Sequence, residues 1–249
     1  MPRAYVGAGV HLGVGCIVNA GAIVVGGLLG LLLKNALPQR ISDTLTKAIG
    51  ICVLFIGLSG ALQNMFTIED GALSVGGTMM TIFSFIGGSI LGGALDLEGR
   101  LERFGVWLRK RAGADGDSGF LNAFLTASLT VCIGAMAVVG AINDGLFGDI
   151  SLLVTKSILD AIIIMVMSAT MGKGCIFSAI PVAIFQGLVT LFARFLQPIM
   201  TAQATSNLAL TGSILVFCVG VNLIWDQQRL KVANMLPTLI FAVALAFVL

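Results

Sequence analysis

Apolar residues in this chain come in long runs, and few polar residues separate them. The runs at residues 9–33, 48–66, 73–95, 120–142, 150–171, 175–195, 208–225 and 232–249 are each close to helical membrane-span length. A helix of about 20 residues matches the roughly 30 Å hydrocarbon core of a bilayer. The pattern predicts an all-α, polytopic membrane bundle of about eight transmembrane helices, a single integral membrane domain over residues 1–249. Short breaks punctuate it: a basic turn from Lys34 to Arg40, the acidic Ile68-Glu69-Asp70, the turn Asn143-Asp144-Gly145, the tight Gly172-Lys173-Gly174 and an uncharged connection up to Asn207.

The longest polar segment, residues 96–119, begins with its own pattern. Leu97, Leu101, Phe104 and Leu108 recur at helical spacing, with Arg100, Arg103, Arg109, Lys110 and Arg111 around them. That is the signature of an amphipathic helix lying on an anionic leaflet, although a solvated charged loop has the same composition. Ala112 to Gly119 is rich in Gly and Asp and reads as a loop. The run at 9–33 continues without a small-residue cleavage site ahead of polar sequence, so no removed signal peptide is expected.

Composition narrows the picture. The chain is 57% hydrophobic and 10% charged, against about 25% charged for a soluble domain. Its 32 glycines suit close helix packing in lipid. No basic stripe interleaved with aromatics is present, so nucleic acid is not an expected partner. The partners implied are the bilayer itself and a small solute or ion, with self-association into a homo-oligomer left open. Cys16, Cys52, Cys132, Cys175 and Cys218 all lie in apolar runs and form no C-x-x-C pair, so they read as small packing residues. His11 is the one histidine, and a metal site needs several ligands. No metal or other cofactor is expected.

The charges are placed unevenly. With eight spans, alternate connections fall on one side, and that side collects Lys34, Arg40, Lys47, Arg100, Arg103, Arg109, Lys110, Arg111, Lys173, Arg229 and Lys231. The other side has only Arg3 and Arg194. The positive-inside rule then puts the basic side, including the 96–119 segment, in the cytoplasm and both termini outside it.

A weak internal similarity runs through the chain. Cys16-Ile17-Val18-Asn19-Ala20 resembles Cys175-Ile176-Phe177-Ser178-Ala179, and Val53-Leu54-Phe55-Ile56-Gly57 resembles Val216-Phe217-Cys218-Val219-Gly220. Spans 1–3 would correspond to spans 6–8 with opposite sense, an inverted repeat of the kind found in transporters. Chance similarity between apolar segments is the competing explanation.

Inside the fifth run stand two opposite charges, Lys156 and Asp160. Four residues apart on a helix, they share a face and are separated by a rise of roughly 6 Å. Each would cost about 2.5–3.5 kcal/mol near the bilayer centre, so a pair that neutralises itself is the least expensive way to keep both. The pair is either a structural lock on span 5 or the group that engages an ion or charged solute. Five further polar residues in the runs are binding candidates beside them. Asn19 and Gln186 lie mid-span and Asn222 near a span end; each is either interhelical glue or a ligand. Asn143 and Asp144 are either a plain helix-ending turn or the lip of a broken helix facing the site. Pro181 reads as a tolerated kink.

Nucleophile-elbow, P-loop, H-E-x-x-H and dinucleotide patterns are all missing, and no nucleophile–base set is visible, so an enzyme is not expected. Three stretches are distinctive: Asn19 to Gly30, Cys132 to Leu146 (CIGAMAVVGAINDGL) and Lys156 to Ala161 (KSILDA). Together they resemble the bacterial YqgA/YdfK-like membrane family, a domain of unknown function, over nearly the whole chain from about Gly13. Ala161 stands where that family's pattern often has Gly, a small-for-small change. The resemblance implies a multi-helix bacterial inner-membrane protein, often described as a possible transporter, with no activity to carry over. The expectation is a small-solute or ion transporter with Lys156 and Asp160 at its centre. A channel using the same residues as a constriction, or a non-transporting scaffold or sensory protein, are the alternatives.

Overall fold

The computed structural model describes residues 13–34, 38–69, 72–114, 116–133, 135–225 and 230–248. His11, the first residues of the first run, Asp70, Arg229 and Leu249 lie outside the described residues. The chain folds as helices in the order α1 (Val14–Lys34), α2 (Gln39–Met65), α3 (Thr78–Ala94), α4 (Leu97–Arg111), α5 (Phe120–Cys132), α6 (Ala135–Phe147) and α7 (Ser151–Met171). A 3-10 turn (Lys173–Ser178) leads into α8 (Ala179–Leu191), α9 (Ala193–Leu196), α10 (Ala202–Ile224), α11 (Val232–Met235) and α12 (Thr238–Leu245). Among the described residues, five helical stretches are long and apolar enough to cross a membrane, or seven if each of two bent pairs is one span; Val232–Leu245 is a shorter apolar stretch.

The polarity of the bundle is inverted relative to a soluble protein. Large apolar side chains such as Ile17 (72% exposed), Phe55 (61%) and Ile90 (68%) cover its outside, while Asn19, Asp144, Lys156, Asp160 and Gln186 are buried. That arrangement suits a lipid solvent, where apolar surface costs nothing outside and polar groups need partners within. The protein is a multi-pass, all-α membrane protein.

Close helix contacts set the order. A side chain at Gly26 would run into the backbone of Ala161, and one at Gly30 into that of Met165. Gly15 lies against Leu153, so α1 and α7 run parallel. Gly57 meets Phe217 and Gly50 meets Leu223, which makes α2 antiparallel to α10. Gly88 meets Thr238 and Gly92 meets Asn234, which makes α3 antiparallel to α11 and α12. These senses fit a chain in which α2, α3 and the bent α5–α6 unit each cross once between α1 and α7. Backbones approach this closely only where one partner lacks a Cβ.

Two bends depart from straight spans. Between α3 and α4 the chain turns by 53°. Asp96 makes that turn in the left-handed region (φ 47°), and its carboxylate accepts from the Gly99 N–H at 3.3 Å. Short polar Asp tolerates this conformation and caps the new helix. The 96–119 segment thus begins as the expected helix, and its apolar face is seated on protein: Gly105 lies against Leu121 and Phe124, and Phe104 packs on Phe124 with ring centroids 6.0 Å apart. Glu98 accepts from the Ala233 N–H at 3.0 Å, and Asn234 accepts from the Glu98 N–H at 2.8 Å, tying α4 to α11. The second bend, 62°, divides α5 from α6. Ile133 is extended there (φ −82°, ψ 127°), so the run at 120–142 is two short helices.

Other differences concern boundaries. Residues 66–69 and 72–75, expected as the end of span 2, an acidic connection and the start of span 3, form an antiparallel pair, β1 (Phe66–Glu69) with β2 (Ala72–Val75). Phe66, Thr67, Ile68, Leu73 and Val75 favour strand, and a short apolar strand has the same run of apolar residues as the end of a helix. Asn143 and Asp144 do not end a helix, because α6 continues to Phe147; Asp149 beyond it accepts from the Ser151 N–H at 3.0 Å, and hydrogen bonds from the Ser151 side chain and N–H hold its carboxyl below the usual range.

The contact at Gly92 gives a sharp test. Gly92→Ala is expected to destabilise the purified protein by about 1–3 kcal/mol through overpacking against α11. Gly93→Ala, one position on and facing open space, should leave the thermal midpoint unchanged or slightly raised. Equal midpoints for the two variants would contradict the α3–α11 contact.

Candidate functional site

Four elements converge on the charged pair. Lys156 and Asp160 lie one turn apart on α7, 7% and 4% exposed. The Lys156 ammonium donates to Asp160 Oδ2 at 2.6 Å and Oδ1 at 2.8 Å. It also donates to the backbone carbonyl of Val131 at 2.8 Å. These short contacts are the charge-assisted kind, about twice as strong as neutral ones. Val131 sits in the last turn of α5, where helix carbonyls have no intrahelical partner and carry the negative end of the dipole. In an unbroken helix that carbonyl would serve residue 135; the break at Ile133 frees it for the ammonium.

The carboxylate has a second neighbour. Asn19, in the second turn of α1, donates from Nδ2 to Asp160 Oδ2 at 3.1 Å and to Gln186 Oε1 on α8 at 3.2 Å. The near-contact of α1 with α7 at Gly26 and Gly30 brings the asparagine within reach. Both amides are buried, Asn19 at 0% and Gln186 at 1% exposed. Asn19 Oδ1 and Gln186 Nε2 have no hydrogen-bond partner. A buried acceptor and a buried donor therefore stand idle beside a neutralised ion pair. Such groups cost free energy unless something occupies them at some stage.

The other candidates stand elsewhere. Asp144, 1% exposed on α6, accepts from the Gly15 N–H at 3.0 Å. It caps α1 from a different helix and places its charge at the positive end of that helix's dipole. Asn143 is half-buried, and its backbone carbonyl accepts from the Asp149 N–H at 3.3 Å. Asn222 clamps the chain end beyond α10, donating to the Leu230 carbonyl and accepting from the Leu230 N–H, both at 2.8 Å. The structure thus joins Lys156, Asp160, Asn19 and Gln186 and leaves Asn143, Asp144 and Asn222 outside the group. Sequence reasoning misses the Val131 carbonyl, which no side-chain pattern can announce. It also misses Asn207, buried, which donates to the Ala242 carbonyl at 3.0 Å and ties α10 to α12.

Two cavities flank α5. A polar one of about 430 Å³ is lined by Asp43, Lys47, Glu98, Asn122, Thr126 and Asn222 among others, with Leu129 at its edge. An apolar one of about 920 Å³ lies between α5, α8 and α12; Ser128, Leu129, Cys132, Pro181, Phe185 and Pro237 contribute to it. Cys132 brings the apolar cavity to the residue next to Val131. Among the described residues no cluster of three or more His, Cys, Asp or Glu stands ready for a metal.

Residues 14–247 match the profile of the family described as Protein of unknown function (DUF554). The chain belongs to the DUF554 family. The DUF554 match starts at the first residue of α1 and runs into the segment after α12, so it includes every element of the site. The chain is similar to the uncharacterized membrane protein YdfK of Bacillus subtilis (strain 168), 26% identical over 235 residues that cover 94% of this chain and 96% of the relative. It is likewise similar to the uncharacterized protein YqgA of Escherichia coli (strain K12), 25% identical over 240 residues that cover 94% and 96%. No solved structure matches.

The geometry makes a stability prediction for this DUF554 protein. Asp160→Asn strands the ammonium and Lys156→Met strands the carboxylate, and breaking a buried pair costs about 3–5 kcal/mol. Each single change should lower the thermal midpoint, and the double change should recover much of the loss because neither charge is left alone. If both single variants were as stable as the parent, the pair would not sit in a dry site.

Proposed function

We propose that this protein is a small-solute or ion transporter of the bacterial inner membrane, not an enzyme, with the Lys156–Asp160 pair as its working centre. The observation that carries the reading is a buried ion pair held at the open end of a broken helix, with two unpartnered amide atoms beside it. Intramembrane ionisable groups mark solute or ion pathways by default. Discontinuous helices in transporters use their freed carbonyls to hold cations near the midplane. A solute that offers a donor to Asn19 Oδ1 and an acceptor to Gln186 Nε2 would satisfy both idle amides on entering.

Orientation is part of the proposal. The uneven basic residues support a cytoplasmic side holding α4 and the polar cavity, with both termini outside the cytoplasm. The inverted-repeat reading draws on the antiparallel lay of α2 on α10 and of α3 on α12, the sense such a relation requires. α1, however, lies along α7 rather than chiefly along α8. The apolar lining beside Cys132 favours a closed, gated state over an open channel. It also favours a second reading, a membrane scaffold or sensory protein that moves nothing.

Flux separates these readings. In sealed proteoliposomes, a panel of amino acids, small organic anions and monovalent cations should include one whose uptake by the parent is saturable and driven by a gradient. The Lys156→Met/Asp160→Asn double variant should regain stability yet stay inactive. Non-saturable flux would point to a channel. No uptake of any panel member by the parent would count against transport and for the scaffold.

Topology is tested independently. In a cysteine-free background, a cysteine at Gly116 should be protected from an impermeant thiol reagent in intact cells, and one at Gln203 should react. Both positions are exposed, so reaction at Gly116 in sealed cells would reverse the orientation.

A further inference from the structure

The surroundings of the Lys156 ammonium are those of a cation site. Its three contacts are the two oxygens of Asp160 and the Val131 carbonyl, at 2.6, 2.8 and 2.8 Å. One carboxylate and one helix-end carbonyl form the ligand type that holds alkali cations in membrane proteins, where carbonyl oxygens replace a hydration shell. An ammonium needs no such carbonyl to be neutralised, since the carboxylate alone balances its charge. The break in α5 nevertheless delivers one. The buried, unpartnered Asn19 Oδ1 is an additional oxygen beside the same carboxylate, its amide group being already bonded to Asp160.

We infer that Lys156 is a tethered cation occupying a monovalent-cation site made by Asp160, the Val131 carbonyl and Asn19, and that a free alkali cation takes its place when the ammonium gives up its proton. The exchange balances. The ammonium releases one proton to water, the neutral amine leaves the carboxylate, and one monovalent cation enters. The site holds one negative and one positive charge before and after. Among the described residues, the titratable groups near Lys156 are Asp160 on its own helix and the Cys132 thiol on α5; α1 and α8 bring the uncharged Asn19, bonded to Asp160, and Gln186, bonded to Asn19. Asp144 on α6 is engaged at the start of α1. α2 reaches α7 at its far end, where Ser42 donates to the Thr170 carbonyl at 3.2 Å. One carboxylate therefore serves two competing cations. A divalent metal would leave a net charge in lipid, which the site has nothing to offset.

The role of this exchange in coupling rests on the transporter reading, but the binding does not, so binding is what the experiment measures. Purified protein in detergent is heated in NaCl, KCl or LiCl, with choline chloride holding ionic strength constant. The parent at neutral pH should show the same midpoint in every salt. Lys156→Ala should be stabilised by at least one alkali cation over choline, saturably, by about 4 °C or more at a large excess over the dissociation constant. Lys156→Ala/Asp160→Asn should lose that response.

If Lys156→Ala does not fold, the parent carries the test. Its midpoint should become cation-dependent as the pH is raised from neutral into the alkaline range, and Asp160→Asn should not follow. A folded Lys156→Ala indifferent to every cation would mean that Asp160 has taken a proton instead, and would overturn the inference. So would an equal response in the variants lacking Asp160. Cation binding without any flux would uphold the site and reject transport. Flux without cation binding would do the reverse.

Discussion

The ammonium of Lys156 has nowhere else to go, and much of the bundle is arranged around that fact. A lysine buried in lipid-embedded protein must be neutralised and have its donors satisfied, or it costs several kcal/mol. Asp160 meets the first need. The second is met by Val131, which is available only because α5 stops. The charge thus accounts for an interruption that would otherwise waste backbone hydrogen bonds in a medium with no water to replace them. The carboxylate in turn draws in Asn19, and Asn19 reaches it because α1 lies almost backbone to backbone on α7.

That closeness is a general device here. α1 on α7, α2 on α10 and α3 on α11–α12 all meet at glycines whose missing side chains let backbone touch backbone. In lipid, helix association rests on such packing rather than on a hydrophobic drive. The three pairs leave α5, α6 and α8 to fill the space between them. The broken element is therefore held on several sides, which keeps its free carbonyl aimed at the ammonium. Asp144 adds a fixed point at the start of α1, so the first two turns of that helix are positioned by a carboxylate at Gly15 and by the Asn19 amide one turn on.

Much of this is legible in the chain because lipid simplifies the code. A charge in an apolar run is conspicuous, and a spacing of four places Lys156 and Asp160 on one face without further information. Asn19 and Gln186 stand out for the same reason, though only the fold joins them. The break at Ile133 is not legible. It has no proline, and a β-branched residue followed by Gly134 occurs in many continuous membrane helices. The group that takes up its freed carbonyl lies 25 residues along the chain. Asn222 illustrates the converse. It is polar and near a span end like a ligand, yet its amide is spent on the local backbone of Leu230. Asp144 reads as part of a turn, because capping a helix 129 residues away leaves no local trace.

Leu129, 7% exposed, borders both the polar cavity and the apolar one. It is thus a party wall between a wet room and an oily one, one helical turn from Cys132. The two spaces differ in what they dissolve, so the identity of this side chain decides whether they are separate compartments or one amphipathic passage. A leucine there leaves the α5 terminus in apolar surroundings of low dielectric, where the field of a single carboxylate is felt more strongly than in water.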